Sequence, residues 1–99
     1  MHVAFEDLDF TVPERSLVKQ ARVFFPNGYG ASVIQGTYTY GGRDGLYEMA
    51  ILKGGPDDWS LTYDTPITDD VLGYLSEIEV SSYLKEICEL EDCNSIVSK

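Results

Sequence analysis

The stretch D-T-P-I-T-D-D-V-L-G-Y-L-S-E-I-E-V-S-S-Y-L-K-E-I-C-E-L, Asp64 to Leu90, decides the fold. Within it Ser76 and Glu79 form an S-x-x-E capping box, and Leu75 and Val80 hold the two positions of a hydrophobic staple. A helix therefore starts at Ser76. Val80, Tyr83, Leu84, Ile87 and Cys88 come at i, i+3, i+4, i+7 and i+8, one apolar stripe, and Glu79, Ser82, Glu86 and Glu89 make the opposite, wet and negative face. Upstream, Pro66, Thr68, Asp69 and Asp70 read as the start of an earlier helix. Thr68 is placed to cap it, the two acids sit where the helix dipole favours anions, and Gly73 keeps it short. Two consecutive helices are thus expected over residues 68–90.

The sequence before this stretch has the period of strands. Ala21, Val23 and Phe25 alternate with Gln20, Arg22 and Phe24, and Asn27-Gly28 is a hairpin signal because both residues accept positive φ. The segment from Ala31 to Tyr40 is β-branched and aromatic, and it sets Ile34, Tyr38 and Tyr40 on one face of a second strand. Gly41-Gly42-Arg43-Asp44-Gly45 is a turn. Tyr47, Met49 and Ile51 then alternate with Leu46, Glu48, Ala50 and Leu52, so both faces are nearly apolar, as in a central strand. A turn at Gly54-Gly55-Pro56-Asp57-Asp58 leads to a fourth strand with Trp59, Leu61 and Tyr63 on one face. The expected fold class is α+β, a four-stranded antiparallel meander packed against C-terminal helices in two layers. One domain spans 1–99, with an arm at 1–13, the sheet at 17–63, helices at 68–90 and a tail at 91–99.

Composition narrows the function classes. Ninety-nine residues suit one core, and 43% hydrophobic residues with 12% aromatics are too many for a disordered chain despite a net charge of -10. No apolar run reaches the roughly 20 residues of a membrane helix, and the acidic first ten residues lack a basic leader, so the expected location is cytoplasmic. From Asp57 to Asp92 eleven acids face the single Lys85, while the rest of the chain is balanced. Such charge repels nucleic acid and anionic membranes and suits a basic protein partner; its alternative role is solubility alone.

Chemical motifs are absent. The single histidine, His2, lies at the N-terminus, away from any framework that would position a general base. Cys88 and Cys93 with His2 make no four-ligand zinc pattern, so neither metal nor cofactor is expected. Gly28-Tyr29-Gly30 lacks the third glycine and helix of a dinucleotide fingerprint and belongs to the hairpin. The pairs Asp57 with Asp58 and Asp69 with Asp70 fit loop and helix-start solvation better than cation binding. Tyr29, Tyr38, Tyr40 and Tyr47 crowd the middle strands, divided between core and an exposed patch. Arg22 and Arg43 are either satisfied by acids or free to anchor a ligand carboxylate or phosphate. No enzyme class emerges.

The runs P-N-G-Y-G-A-S-V-I-Q-G, Y-G-G-R-D-G-L-Y-E-M-A and L-T-Y-D-T-P-I-T-D-D-V-L-G-Y-L, together about half the chain between Pro26 and Leu75, resemble a family of small acidic bacteriophage and prophage proteins. That resemblance implies a host bacterial cell and brings no catalytic residue with it. Small acidic phage proteins without chemistry resemble accessory proteins that disable host machinery, the anti-CRISPR and anti-restriction proteins among them. On this reading Asp57, Asp58, Asp69, Asp70, Glu77, Glu79, Glu86 and Glu89 mimic nucleic acid toward a basic host defence protein. Two alternatives stand beside it. One is a phage assembly or self-associating module, including a homodimer, that uses a strand edge or the tyrosines; the other is a small-ligand binder with Arg22 or Arg43 in a tyrosine-lined pocket.

Overall fold

The computed structural model describes residues 3–91. Its elements are β1 (Val18–Phe24), β2 (Tyr29–Gly36), β3 (Tyr47–Gly55), β4 (Asp58–Leu61), β5 (Leu72–Leu75) and α1 (Glu77–Cys88). The first four strands are an antiparallel meander in the order β1-β2-β3-β4, and one helix packs on the sheet as a second layer. The domain is α+β.

Strand parity settles which residues meet the helix. Ala21 pairs with Val33 and Val33 with Met49; Val23 pairs with Ala31 and Ala31 with Ile51, so these side chains share one face. Val80, Leu84 and Ile87 of α1 complete that core and are fully buried. The capping box forms as the spacing predicts: Glu79 N–H donates to Ser76 Oγ at 3.2 Å and Ser76 N–H to Glu79 Oε1 at 3.0 Å. Leu75 and Val80, the staple pair, are both core residues. Ser76→Ala is expected to cost about 1 kcal/mol through loss of this cap. A thermal melt should show it as a fall in Tm of roughly 4–8 °C.

The earlier helix expected from Thr68 does not form. Residues 68–71 form no regular element; the chain bends at Asp69 and Asp70, where Thr68 Oγ1 accepts from Asp70 N–H at 3.1 Å and Asp70 Oδ1 from Val71 N–H at 2.7 Å. These are the same side chain to backbone bonds that would cap a helix, closed here on a bend. The chain then enters β5, in which Leu75 pairs with Tyr47 and Leu72 with Met49. The reason is non-local: β4 runs only to Leu61 beside Leu52, which leaves the near half of that β3 edge unpaired. A strand satisfies its backbone groups; a helix there would not. β4 and β5 therefore share one edge of β3, and residues 62–71 loop out between them.

The second strand is also shorter than its composition suggests. β2 ends at Gly36, where Thr39 Oγ1 accepts from Gly36 N–H at 2.9 Å and donates to Gly36 C=O at 3.0 Å. The alternation that places Tyr38 and Tyr40 on a strand face with Ile34 thus fails, because both tyrosines lie in the turns beyond β2 and are exposed. Tyr63 likewise falls beyond β4.

The N-terminal arm turns through Phe5–Asp7 in one 3-10 turn and then extends. Phe5 N–H donates to Ser81 Oγ of α1 at 2.8 Å, and Phe5 and Phe10 pack their rings on Tyr47 at 5.0 and 5.7 Å between centroids. Thr11 then exchanges two 2.8 Å backbone bonds with Gln20 and covers part of the outer edge of β1. His2, Cys93 and the tail beyond Glu91 lie outside the described residues.

Among the described residues no helix covers the other face of the sheet, yet Leu52 on that face is fully buried. Part of its cover is the sheet's own side chains. Arg22 on β1 stands in register with Ser32 and, through it, Ala50, both small, and its guanidinium lies over the Trp59 ring of β4 at 4.7 Å. Phe24 lies over Gly30, the residue paired with Leu52; a methyl group on Gly30 would sit 2.8 Å from the Phe24 ring.

Candidate interaction surface

All eight carboxylates named from the sequence are exposed, and the fold divides them into three places. Asp57 and Asp58 sit at the β3–β4 hairpin. The pairing of Tyr29 with Lys53 puts that hairpin at the same end of the sheet as the Asn27-Gly28 turn. Glu86 and Glu89, at the C-terminal end of α1, come to this end too, because Asn27 Nδ2 donates to the carbonyls of Ile87, Cys88 and Leu90 at 2.8, 3.3 and 3.1 Å. Glu77 and Glu79 lie at the opposite end, where α1 leaves β5. Asp69 and Asp70 occupy the loop between β4 and β5. Among the described residues, hydrogen bonds engage only two of the eight side chains, Asp70 at Val71 N–H and Glu79 at Ser76 N–H.

Along α1 and its C-cap, Glu79, Glu86 and Glu89 share the side turned away from the buried Val80, Leu84 and Ile87, and they span about 15 Å of helix axis. Glu77 falls off this stripe; its exposure comes from its place in the first turn. The structure adds Asp64 and Glu91 to the acidic end. With Tyr29, Pro66 and Leu90 they line a cleft of about 290 Å³. No sequence signal marks them, since Asp64 reaches the end of α1 only through the course of the 62–71 loop.

The two arginines take different places. Arg22 is stacked on Trp59 and Arg43 is exposed in the turn Gly42–Asp44; neither lines the cleft. The tyrosines divide as well. Tyr47 is core, Tyr29 is half-buried, and Tyr40 stacks on Tyr74 with centroids 6.5 Å apart. No sequence signal marks that stacked pair, because the spacing after Thr68 predicts a helix where Tyr74 lies in a strand. Among the described residues no group of three His, Cys, Asp or Glu side chains is placed to hold a metal ion, and no helix is long and apolar enough to cross a membrane.

Compared with known proteins, the chain matches no family model, no curated protein and no solved structure.

Proposed function

We propose that this protein is a non-enzymatic inhibitor that occupies the basic groove of a host nucleic-acid-binding defence protein with an acidic surface, in the manner of anti-CRISPR and anti-restriction proteins. The observation that carries this reading is the set of eight exposed carboxylates, six of them with no hydrogen bond to a described side chain or backbone group. Their charge is therefore available to a partner. Charge of one sign on a folded scaffold steers a basic partner into fast encounter and competes with phosphate for the same groove. The resemblance to phage proteins supplies the host context.

Strand-edge assembly is less well supported. Thr11 covers part of β1's outer edge, and the opposite edge is broken into two strands of four residues each.

The test is capture from nuclease-treated bacterial lysate at low and high salt, followed by displacement with DNA or RNA. Asp57, Asp58, Glu86 and Glu89 are then reversed to lysine together. Glu79 is left in place because its carboxylate caps α1. Lysines at 86 and 89 face the negative end of the helix dipole, so the fold should be retained. Binding should weaken at least about tenfold, and the salt dependence should flatten. Undiminished binding by the reversed variant, with a normal melt, would sink the proposal.

A further inference from the structure

We infer that Tyr40, Tyr74 and Glu48 form a docking site for an arginine side chain of a basic protein partner. The inference rests on the acidic-inhibitor reading and adds to it the contact that would fix register. Tyr40 and Tyr74 are 58% and 60% exposed, and their rings lie within 21° of parallel. Such exposure brings little burial energy. The backbone nonetheless holds both residues tightly. Tyr74 adopts φ +56°, a left-handed conformation that a side chain bearing a Cβ rarely takes. Tyr74 N–H donates to Tyr40 C=O at 3.3 Å. Two glycines permit the approach: a Cβ on Gly73 would come 2.7 Å from Tyr40 Cβ, and one on Gly41 would come 2.8 Å from Tyr74 Cα. Strain kept at an exposed residue, with glycine on both sides of the contact, points to a use of the surface and away from stability.

The chemistry of the occupant is set by the neighbours. Glu48 Oε1 accepts from Tyr40 N–H at 3.0 Å, which fixes the carboxylate beside the tyrosines, and Oε2 takes no hydrogen bond from a described residue. A stacked aromatic surface beside a carboxylate is what a guanidinium requires: a flat face to lie on and an acceptor for its fork of N–H groups. An ammonium gains less, because it neither stacks nor bonds through two parallel donors. Asp44 and Glu77 add negative charge at this end of the sheet, and the overall charge of -10 favours a basic occupant. The same chain already packs a guanidinium on an aromatic ring at Arg22 and Trp59.

The test uses the full chain and two eight-residue peptides, one alternating arginine with glycine and the other lysine with glycine, at equal ionic strength. The readout is the NMR shift of the tyrosine ring and glutamate side-chain signals. The arginine peptide should move Tyr40, Tyr74 and Glu48 and bind more tightly than the lysine peptide. Tyr40→Ala and Tyr74→Gly should each weaken it about five- to tenfold. Glycine accepts φ +56° without steric cost, so the second variant keeps the chain path.

Equal binding of both peptides at the helix carboxylates, with the tyrosines silent, would overturn the docking site and leave the acidic reading intact. Failure of both peptides to bind at low salt would count against the docking site and the acidic reading alike. Tyrosine signals that move with protein concentration alone would assign the patch to a second copy of the chain and overturn the inference.

Discussion

Replacement of Leu84 by alanine is expected to lower the free energy of unfolding by about 3–4 kcal/mol. Leu84 is fully buried on the inner side of α1 within the cluster that joins the helix to β2, β3 and β5. Truncation removes the transfer free energy of the lost methyl groups and leaves a cavity, because the sheet on one side cannot collapse into it. Set against a total of roughly 5–15 kcal/mol for a domain of this kind, that is a large share. Tm should fall by roughly 15–25 °C. Urea unfolding followed by helix circular dichroism, with an unchanged slope, checks the value. Leu84→Met, which conserves volume, should cost less than about 1.5 kcal/mol. A loss under about 1 kcal/mol for the alanine variant would mean that the helix layer contributes far less than its burial implies.

Asn27→Asp should rank second, at about 2–3 kcal/mol near neutral pH. The Asn27 amide is a clamp. Its Nδ2 reaches the carbonyls of Ile87, Cys88 and Leu90, and its Oδ1 accepts from Tyr29 N–H at 3.0 Å. Carbonyls at a helix C-terminus have no intrahelical donor and form the negative end of the dipole. Aspartate keeps the acceptor that orders the turn, withdraws both donors, and sets a negative charge against three oxygens. That arrangement fixes the sign of the pH dependence. Facing those oxygens, the new carboxyl has a folded-state pKa above its unfolded value of about 3.9. The charge penalty is therefore full above the folded pKa, declines as pH falls through it, and vanishes below the unfolded value. Melts of wild type and variant at neutral and acidic pH should converge on acidification, down to what the lost donors cost. A gap that widens on acidification would refute the clamp.

These two positions differ in how visible they are in the sequence. Leu84 lies at the centre of the periodic stripe that the capping box introduces, and its burial is legible from spacing alone. Asn27 is legible only as half of a turn. Its second role depends on a contact with residues sixty positions away, which neither turn chemistry nor helix period encodes. The acidic residues divide the same way. Their exposure is a consequence of charge, but their distribution between two ends of the sheet and the 62–71 loop is not. Arg22, open to several readings in sequence, meets Trp59 because small residues stand beside it in the strand register.

By itself, then, the sequence determined what its local physics could carry: the capping box and stripe of α1, the Asn27-Gly28 turn, the doubly apolar β3 and the charge of the last third. Only the tertiary structure decided the remainder. The segment from Leu72 to Leu75 became a strand because an edge of β3 was left unpaired, and Tyr38 and Tyr40 left the sheet because Thr39 closed the chain on Gly36. Tyr74 came to rest on Tyr40 through that same pairing. In each case backbone groups distant in sequence, or a single side chain in a turn, outweighed a local preference worth a few tenths of a kcal/mol per residue.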